Sequence, residues 1–306
     1  MYGRKLLLFC QIVIVIHHFL LLLNLKKISI MNRNPLFSLC LLVILSALIF
    51  GACEKKQTDD TNDDTTAANF ATADNLYGDV FNVAKKAAAQ KGIESGKTEA
   101  TNDLCSTLSL NPANNNVFPK TLTVDFGNGC TSDDGRFRKG KVFITFSDYF
   151  MAPNSTITCT FDEYFVEGHK VEGTYTILNQ TVNNIPKFQT TVTEGKITEP
   201  TGGVFSWSET RTYTMTAGMG DFNASNDEYD IEGNGSGTNV EGVNFSFTTL
   251  VALHVKANCS WVVSGQLQIT SANVIPISMT IDYGDGTCDN QAIATIGSLS
   301  GTITLP

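Results

Sequence analysis

The sequence predicts a mainly β protein, a large antiparallel β-meander with one N-terminal amphipathic helix. From about residue 119 onward, apolar positions alternate with Thr- or Ser-rich positions at a period of two. This pattern is typical of antiparallel strands that have one buried face and one face in water. The segments between the strands are too short for the crossover helices of a parallel sheet. The alternating runs indicate about eleven or twelve strands, which form either a closed barrel or a curved open sheet.

Composition and charge restrict the function classes. The chain has 306 residues, of which 42% are hydrophobic and 17% are charged, so it is not a disordered protein. Its formal charge of −9 argues against nucleic acid as a partner, because binding to phosphates requires a basic surface.

The beginning of the chain has the composition of an export signal. Residues 1–52 contain basic groups but no acidic ones, and they include two apolar runs, at 6–23 and 36–50. The two runs could form a membrane hairpin. The simpler interpretation takes Met31 as the start, with 1–30 as an upstream extension that does not belong to the protein. Residues 31–52 then form a signal peptide with a basic start and an apolar centre.

The signal peptide ends in Gly51-Ala52-Cys53. This sequence resembles the bacterial lipobox, although Phe50 replaces the Leu that is usual in that motif. The resemblance implies that Cys53 is diacylated and becomes the mature N-terminus, as a lipidation site with a stable membrane anchor. An ordinary signal peptide with a cysteine near the cleavage site is the alternative.

A tether and a helix follow the anchor. Residues 53–66 are polar and acidic, so we expect a disordered tether. Residues 67–306 form a single β-rich domain that begins with a helix at about 70–91. The helix is predicted from apolar residues at helical spacing, with Thr72 or Asp74 as its cap and Gly92 after its end. The apolar stripe consists of Phe70, Tyr77, Phe81, Ala84 and Ala88. We expect this stripe to pack on the sheet; a helix lying on the membrane surface is the alternative.

The strand pattern is clearest in five segments and recurs in seven others. The clear segments are 142–146, 157–161, 171–177, 243–247 and 261–269, and the others lie near 120, 187, 205, 229, 277, 293 and 302. In the second clear segment, Ile157, Cys159 and Phe161 are expected to point inward. A transmembrane barrel is disfavoured because the lipobox already supplies a membrane anchor.

Five cysteines follow Cys53, so at least one thiol is free in an oxidising compartment. Cys159 occupies an inward strand position and is the expected free thiol. The segments 121–130 and 279–288 both run from a strand through Asp-aromatic-Gly to a cysteine, and each has another cysteine 25 or 29 residues upstream. This internal similarity favours two local disulfides, Cys105–Cys130 and Cys259–Cys288. Pairing across the two repeats remains open.

The two Asp-aromatic-Gly loops contain possible oxygen ligands for calcium. Neither has the ligand spacing of a known calcium loop, and tight glycine turns explain both, so we expect no metal. The oxygen-bearing residues are Asp125, Asn128, Asp133, Asp134, Asp282, Asp285, Asp289 and Asn290.

Catalytic motifs are not recognised in the sequence. The chain beyond the leader contains two histidines, His169 and His254, at no metal-ligand spacing. We therefore expect no catalytic residues and no cofactor; a Ser–His–Asp set that only the fold brings together is the alternative.

One strand carries an unusual pair of charges. In residues 205–215, Glu209 and Arg211 share a face with Phe205, Trp207, Tyr213 and Met215. Opposite charges on an apolar face must pair or reach water. The pair therefore lies either at the rim of the sheet, in solvent, or inside a cavity, where it would face a ligand headgroup.

The mature chain resembles a group of uncharacterised Bacteroidota lipoproteins with a lipobox, an acidic tether and a Gly/Thr-rich β-region. The resembling segments are 125–130, 138–143, 170–174, 207–208, 237–239 and 282–290. The resemblance implies no particular activity. We expect a cell-envelope lipoprotein, anchored in the outer membrane and facing either the cell exterior or the periplasm, with a non-catalytic binding or structural role. Its partner would be an envelope protein, a glycan or a hydrophobic ligand, and the alternative function is a lipid carrier with a cavity inside the β-domain.

Overall fold

The computed structural model describes residues 60–96, 104–114, 116–219, 226–259, 261–272 and 276–305. They form one helix, α1 (Asp60–Gln90), followed by fourteen strands in the described ranges. The strands are β1 (Thr107–Asn111), β2 (Lys120–Asp125), β3 (Cys130–Thr131), β4 (Phe137–Phe146), β5 (Thr156–Val166), β6 (His169–Asn179), β7 (Lys187–Thr198), β8 (Val204–Ala217), β9 (Glu228–Thr238), β10 (Asn244–Lys256), β11 (Val262–Ser271), β12 (Ile277–Asp285), β13 (Gln291–Ile296) and β14 (Leu299–Thr304).

All the strands belong to one antiparallel sheet in which neighbours in sequence are neighbours in space. The short β3 is the exception, because it pairs with β4 beside the main path. β1 and β14 are the two edges and do not pair with each other, so the sheet is curved and open. The predicted β-meander is confirmed, and of its two forms the open sheet is the one observed.

The helix α1 packs on one face of the sheet, which we call the inner face. The predicted stripe is buried there, together with further residues of the same helix side. The buried apolar residues of α1 are Phe70, Ala73, Leu76, Tyr77, Val80, Phe81, Val83, Ala84, Ala87, Ala88 and Ala89. The helix is therefore the centre of the hydrophobic core rather than an addition to it.

Three glycines in β9 allow large rings to pack on the inner face. Gly233, Gly235 and Gly237 leave no side chain there, and a Cβ on Gly235 would lie 2.4 Å from the ring of Phe247. The Phe247 ring stacks on Trp207 of β8 with centroids 5.0 Å apart. The rings of Phe247 and Trp207 thus form a layer over β9, which side chains at the three glycine positions would block.

The helix begins earlier than the sequence predicted. It starts at Asp60, so residues 60–66, expected in the tether, are helical, and the prediction of Thr72 or Asp74 as the cap is wrong. Thr66 and Asn69 accept hydrogen bonds from the turn between β9 and β10, which holds this first part of the helix on the sheet. The predicted end is confirmed at Gly92, which has a φ of 68°.

The predictions for the beginning of the chain lie outside the described residues. They comprise the extension at 1–30, the signal peptide at 31–52, the lipidated Cys53 and the first part of the tether.

The cysteines of the β-domain pair as the internal similarity predicted. Cys105 is bonded to Cys130 and Cys259 to Cys288. Cys159 on β5 is free and buried, and burial raises the pKa of its thiol to about 12. Such a thiol behaves as a small apolar side chain rather than as a nucleophile.

Candidate interaction surfaces and buried charge clusters

The charge pair predicted on β8 lies beneath α1. Glu209 and Arg211 are only 6% and 3% exposed, so the prediction of a solvated rim position is wrong. Arg211 Nε donates to Glu209 Oε2 at 2.7 Å, and its Nη1 lies 2.7 Å from Asp74 Oδ1 on the helix. Arg211 therefore has a second ion-pair partner that the sequence did not reveal, the carboxylate of Asp74 on α1.

Aromatic rings complete the surroundings of Arg211. The guanidinium carbon lies 5.2 Å from the ring centre of Phe247 and 5.9 Å from that of Phe70. A guanidinium is well suited to such stacking because it is planar and weakly hydrated. Among the described residues, Arg211 Nη2 has no hydrogen-bond partner.

Burial and mutual contact shift the pKa values of Glu209 and Arg211. Desolvation raises the pKa of Glu209, although Arg211 opposes the shift. The nearby carboxylates Asp74 and Glu209 raise the pKa of Arg211, while desolvation opposes them, so the guanidinium stays charged. The cluster contains two carboxyl groups around one cation, which makes Glu209 its pH-sensitive member.

A second buried cluster joins the middle of α1 to β4. Arg138 is fully buried and donates from Nε to Asp79 Oδ2 at 3.0 Å. It also contacts both carboxylate oxygens of Asp134, at 3.0 and 2.7 Å. Tyr164 donates to Asp79 at 3.2 Å. This cluster was not predicted from the sequence, although alternation in β4 continues backward from Val142 to an inward position at Arg138.

Polar contacts also attach both ends of α1. At its beginning, Asn69 donates to Glu199 in the turn between β7 and β8 at 3.0 Å. Toward its end, Lys85 lies 3.3 Å from Asp227. After the helix, the carbonyl of Ile93 accepts a hydrogen bond from the backbone of Phe150. Together with the two buried clusters, these contacts define the position of α1 along and around its axis.

The two Asp-aromatic-Gly loops are turns of the same construction. Asp125 Oδ1 accepts from the N–H of Gly127 at 2.8 Å, and Asp282 Oδ1 accepts from that of Gly284 at 2.9 Å. These carboxylates therefore serve the backbone of the turn, as tight glycine turns require. Within the described residues, no group of three or more His, Cys, Asp or Glu side chains is arranged to hold a metal ion.

The histidines lie apart from each other in the sheet. His254 on β10 contacts two carboxylates of β9 through its ring nitrogens, Asp230 at 2.7 Å and Glu228 at 3.0 Å. The Nδ1 atom of His169 is buried without a hydrogen-bond partner in the described structure. Among the hydrogen bonds of the described residues, neither histidine contacts the side chain of a serine, threonine or cysteine.

The outer face of the sheet carries a continuous row of uncharged polar side chains, which we call the hydroxyl row. Its thirteen residues are Asn111, Thr121, Thr145, Thr158, Thr176, Thr191, Thr210, Asn234, Thr248, Gln268, Thr280, Thr295 and Ser300. Each residue lies directly opposite the next one, and all are at least partly exposed. Thr121 and Thr145, for example, share a hydrogen bond between their hydroxyls at 3.1 Å. The sequence predicted a Thr/Ser-rich face but not that the residues align across the whole sheet.

A groove of about 530 Å³ opens beside β7, β8 and the turn between β9 and β10. Its lining combines Glu194, Lys196, Ser206 and Thr238 with the apolar Val204 and Val240. The groove therefore offers both polar and apolar contacts.

Comparison with protein-family models, with curated proteins and with solved structures finds no match to this chain. In the described part of the chain, no helical segment combines the length and the hydropathy of a membrane span.

Proposed function

We propose that the chain is a cell-envelope lipoprotein, anchored in the outer membrane through Cys53, whose β-domain has a non-catalytic binding or structural role. The observation that carries this proposal is the position of α1. The helix occupies the inner face of the sheet, where a carrier would hold its cargo, and it is attached there by buried charges. Binding would then occur at the outside of the domain.

The hydroxyl row suggests the chemistry of a partner. A row of hydroxyl and amide groups without charges favours a neutral, polyhydroxylated or peptide partner over a charged one. An envelope glycan or another envelope protein is such a partner, and the cell-envelope location proposed for the domain would bring it within reach.

The anchor can be tested directly. Cys53→Ser should abolish labelling of the protein with radioactive palmitate and should move it from the membrane fraction to the soluble fraction. Cys40→Ser, within the apolar centre of the proposed signal peptide, is the matched control and should change neither result. Labelling that survives in the Cys53→Ser variant would refute the anchor.

The position of α1 leads us to prefer a filled interior over the alternative, a carrier of a lipid or another hydrophobic ligand. A native mass spectrum of the protein extracted from its own membrane separates the two. We expect the mass of the polypeptide, its acyl groups and two disulfides. A further non-covalent mass of a small molecule, distinct from a second copy of the chain and lost on denaturation, would favour the carrier and refute the proposed role.

A further inference from the structure

The last strand leaves one edge of the sheet unprotected. β14 pairs with β13 in six residue pairs without a register shift, and no strand in the described ranges pairs with its other side. An edge strand exposes unpaired N–H and C=O groups, and native proteins usually protect such an edge with charges, proline or a bulge. The sequence of β14, Leu-Ser-Gly-Thr-Ile-Thr, contains none of these.

The apolar inner face is also uncovered at this edge. One row of the inner face runs from Phe247 through Ile269, Met279 and Ile296 to Leu299. The first three residues of this row are at most 8% exposed, whereas Leu299 is 70% exposed. Ile303 of β14 still packs against the core, but this row ends in an exposed leucine that lies beside free backbone groups.

The edge is complementary to a second copy of itself. Residues 299–305 read Leu-Ser-Gly-Thr-Ile-Thr-Leu, which has nearly the same pattern in both directions about Thr302. In an antiparallel pair centred there, Leu299 lies opposite Leu305 and Ser300 lies opposite Thr304. The apolar side chains of both copies then share one face, and the hydroxyls share the other.

Charge favours the same occupant. The chain carries a net charge of −9, yet residues 291–305 contain no Lys, Arg, Asp or Glu. Two copies can therefore meet at this hairpin without opposing like charges, which destabilise strand pairs.

The other edge is less suited to this pairing. β1 is followed directly by Pro112 and preceded by the Cys105–Cys130 disulfide. Its leucines, Leu108 and Leu110, are both packed against the core, whereas on β14 only Ile303 is packed there and Leu299 is 70% exposed.

We propose that two copies of this chain form a symmetric dimer by antiparallel pairing of β14 about a two-fold axis at Thr302. The two sheets then become one continuous sheet, and Ser300 of each hydroxyl row adjoins Thr304 of the other copy. An interface of one short strand from each copy is small compared with the roughly 1,200–2,000 Å² of a stable complex, so the dimer is a reversible one. The proposal does not depend on the lipid anchor.

Disulfide crosslinking of the full-length protein in its membrane tests the register. Thr302→Cys should give a covalent dimer under mild oxidation, because the two residues face each other across the axis. Ser300→Cys alone should not exceed the wild-type background, whereas Ser300→Cys mixed with Thr304→Cys should crosslink. Failure of Thr302→Cys, or equal crosslinking by Ser300→Cys alone, would overturn the proposal.

A charge variant tests the interface by a second measurement. Thr302→Lys places two lysines at the axis and should weaken dimerisation, measured by sedimentation in detergent, by about tenfold or more. Thr280→Lys lies on the same outer face but on the interior strand β12, and it should leave dimerisation unchanged. A monomeric wild type, equal effects of both variants, or oligomers larger than a dimer would each contradict pairing of β14 with itself.

Discussion

At the scale of single residues, Glu209 shows how burial and pairing compete. Its carboxyl group is desolvated beneath α1, which raises its pKa, while Arg211 at 2.7 Å favours the ionised form. A buried pair of this kind stabilises a protein little by itself, but an unpaired charge left in its place costs several kcal/mol.

The raised pKa of Glu209 predicts that the stability of the fold depends on pH. The folded state keeps the Glu209 proton to a higher pH than the unfolded chain does, so the contribution of Glu209 to the free energy of unfolding falls as the pH rises above about 4.3. Glu209→Gln removes this component. Its free energy of unfolding, measured in urea between pH 4 and 7, should therefore decrease less with pH than that of the wild type. Glu232→Gln, on the exposed outer face of β9, is the control, and an identical pH dependence of all three proteins would contradict this explanation.

The packing of aromatic rings over the glycines of β9 predicts how an added methyl group changes the free energy of unfolding. A Cβ on Gly235 would lie 2.4 Å from the Phe247 ring, whereas a Cβ on Gly301 would meet nothing within 4 Å. Gly235→Ala should lower the free energy of unfolding by about 1–3 kcal/mol, as overpacking of a core does. Gly301→Ala should change it by less than about 1 kcal/mol. Thermal unfolding of the two variants checks the difference, and equal midpoints would show that the aromatic layer can move away.

At the scale of the elements, the contacts between α1 and β4 determine how firmly the helix is held. Asp79→Asn leaves Arg138 with Asp134 as its carboxylate partner and should cost about 3 kcal/mol of unfolding free energy. Lys196→Met, which removes an exposed ion pair with Glu172, should cost less than about 1 kcal/mol. Denaturant titrations provide both values. A cost for Asp79→Asn no greater than that of the control would show that the buried pair does not hold the helix.

Strand alternation predicted the inner face well wherever the ladder is regular. The side chains from Phe205 to Arg211 are arranged as predicted because the β8–β9 register is unbroken there. The inward prediction for Phe161 is also confirmed, because this residue lies opposite the buried Val142 and packs against the core. It is only partly buried, beside a β-bulge or similar irregularity between Cys159 and Phe165. Local alternation contains no signal for such a bulge.

The position of the helix on the sheet could not be predicted from the sequence, for a different reason. Its stripe predicts which side is buried, but the partners of Asp74 and Asp79 depend on where the helix crosses the sheet. Whether the sheet closes into a barrel could not be predicted either, because closure depends on the accumulated twist of all strands and on the width of the core. These are properties of the assembled fold and not of a segment.

At the scale of the whole molecule, two disulfides of similar size stabilise the sheet near its two ends. Their sequence separations are 25 and 29 residues. Loops of this length predict a loss of about 3–4 kcal/mol when either pair is replaced by alanine. The variant without Cys105 and Cys130 and the variant without Cys259 and Cys288 should therefore unfold at similar denaturant concentrations. A large effect of one pair with none of the other would contradict the equivalence of the two repeated loops.

The buried contacts of α1 imply that the helix is a fixed part of the core and does not leave the inner face to admit a ligand. Native-state hydrogen exchange with mass spectrometry tests it most directly, because exchange measures the free energy at which each segment opens. We expect the amides of residues 70–88 to exchange only at the free energy of global unfolding, together with those of β4 and β8. Exchange of the helix at a clearly lower free energy, while the strands stay protected, would contradict the claim and favour a helix that opens a cavity.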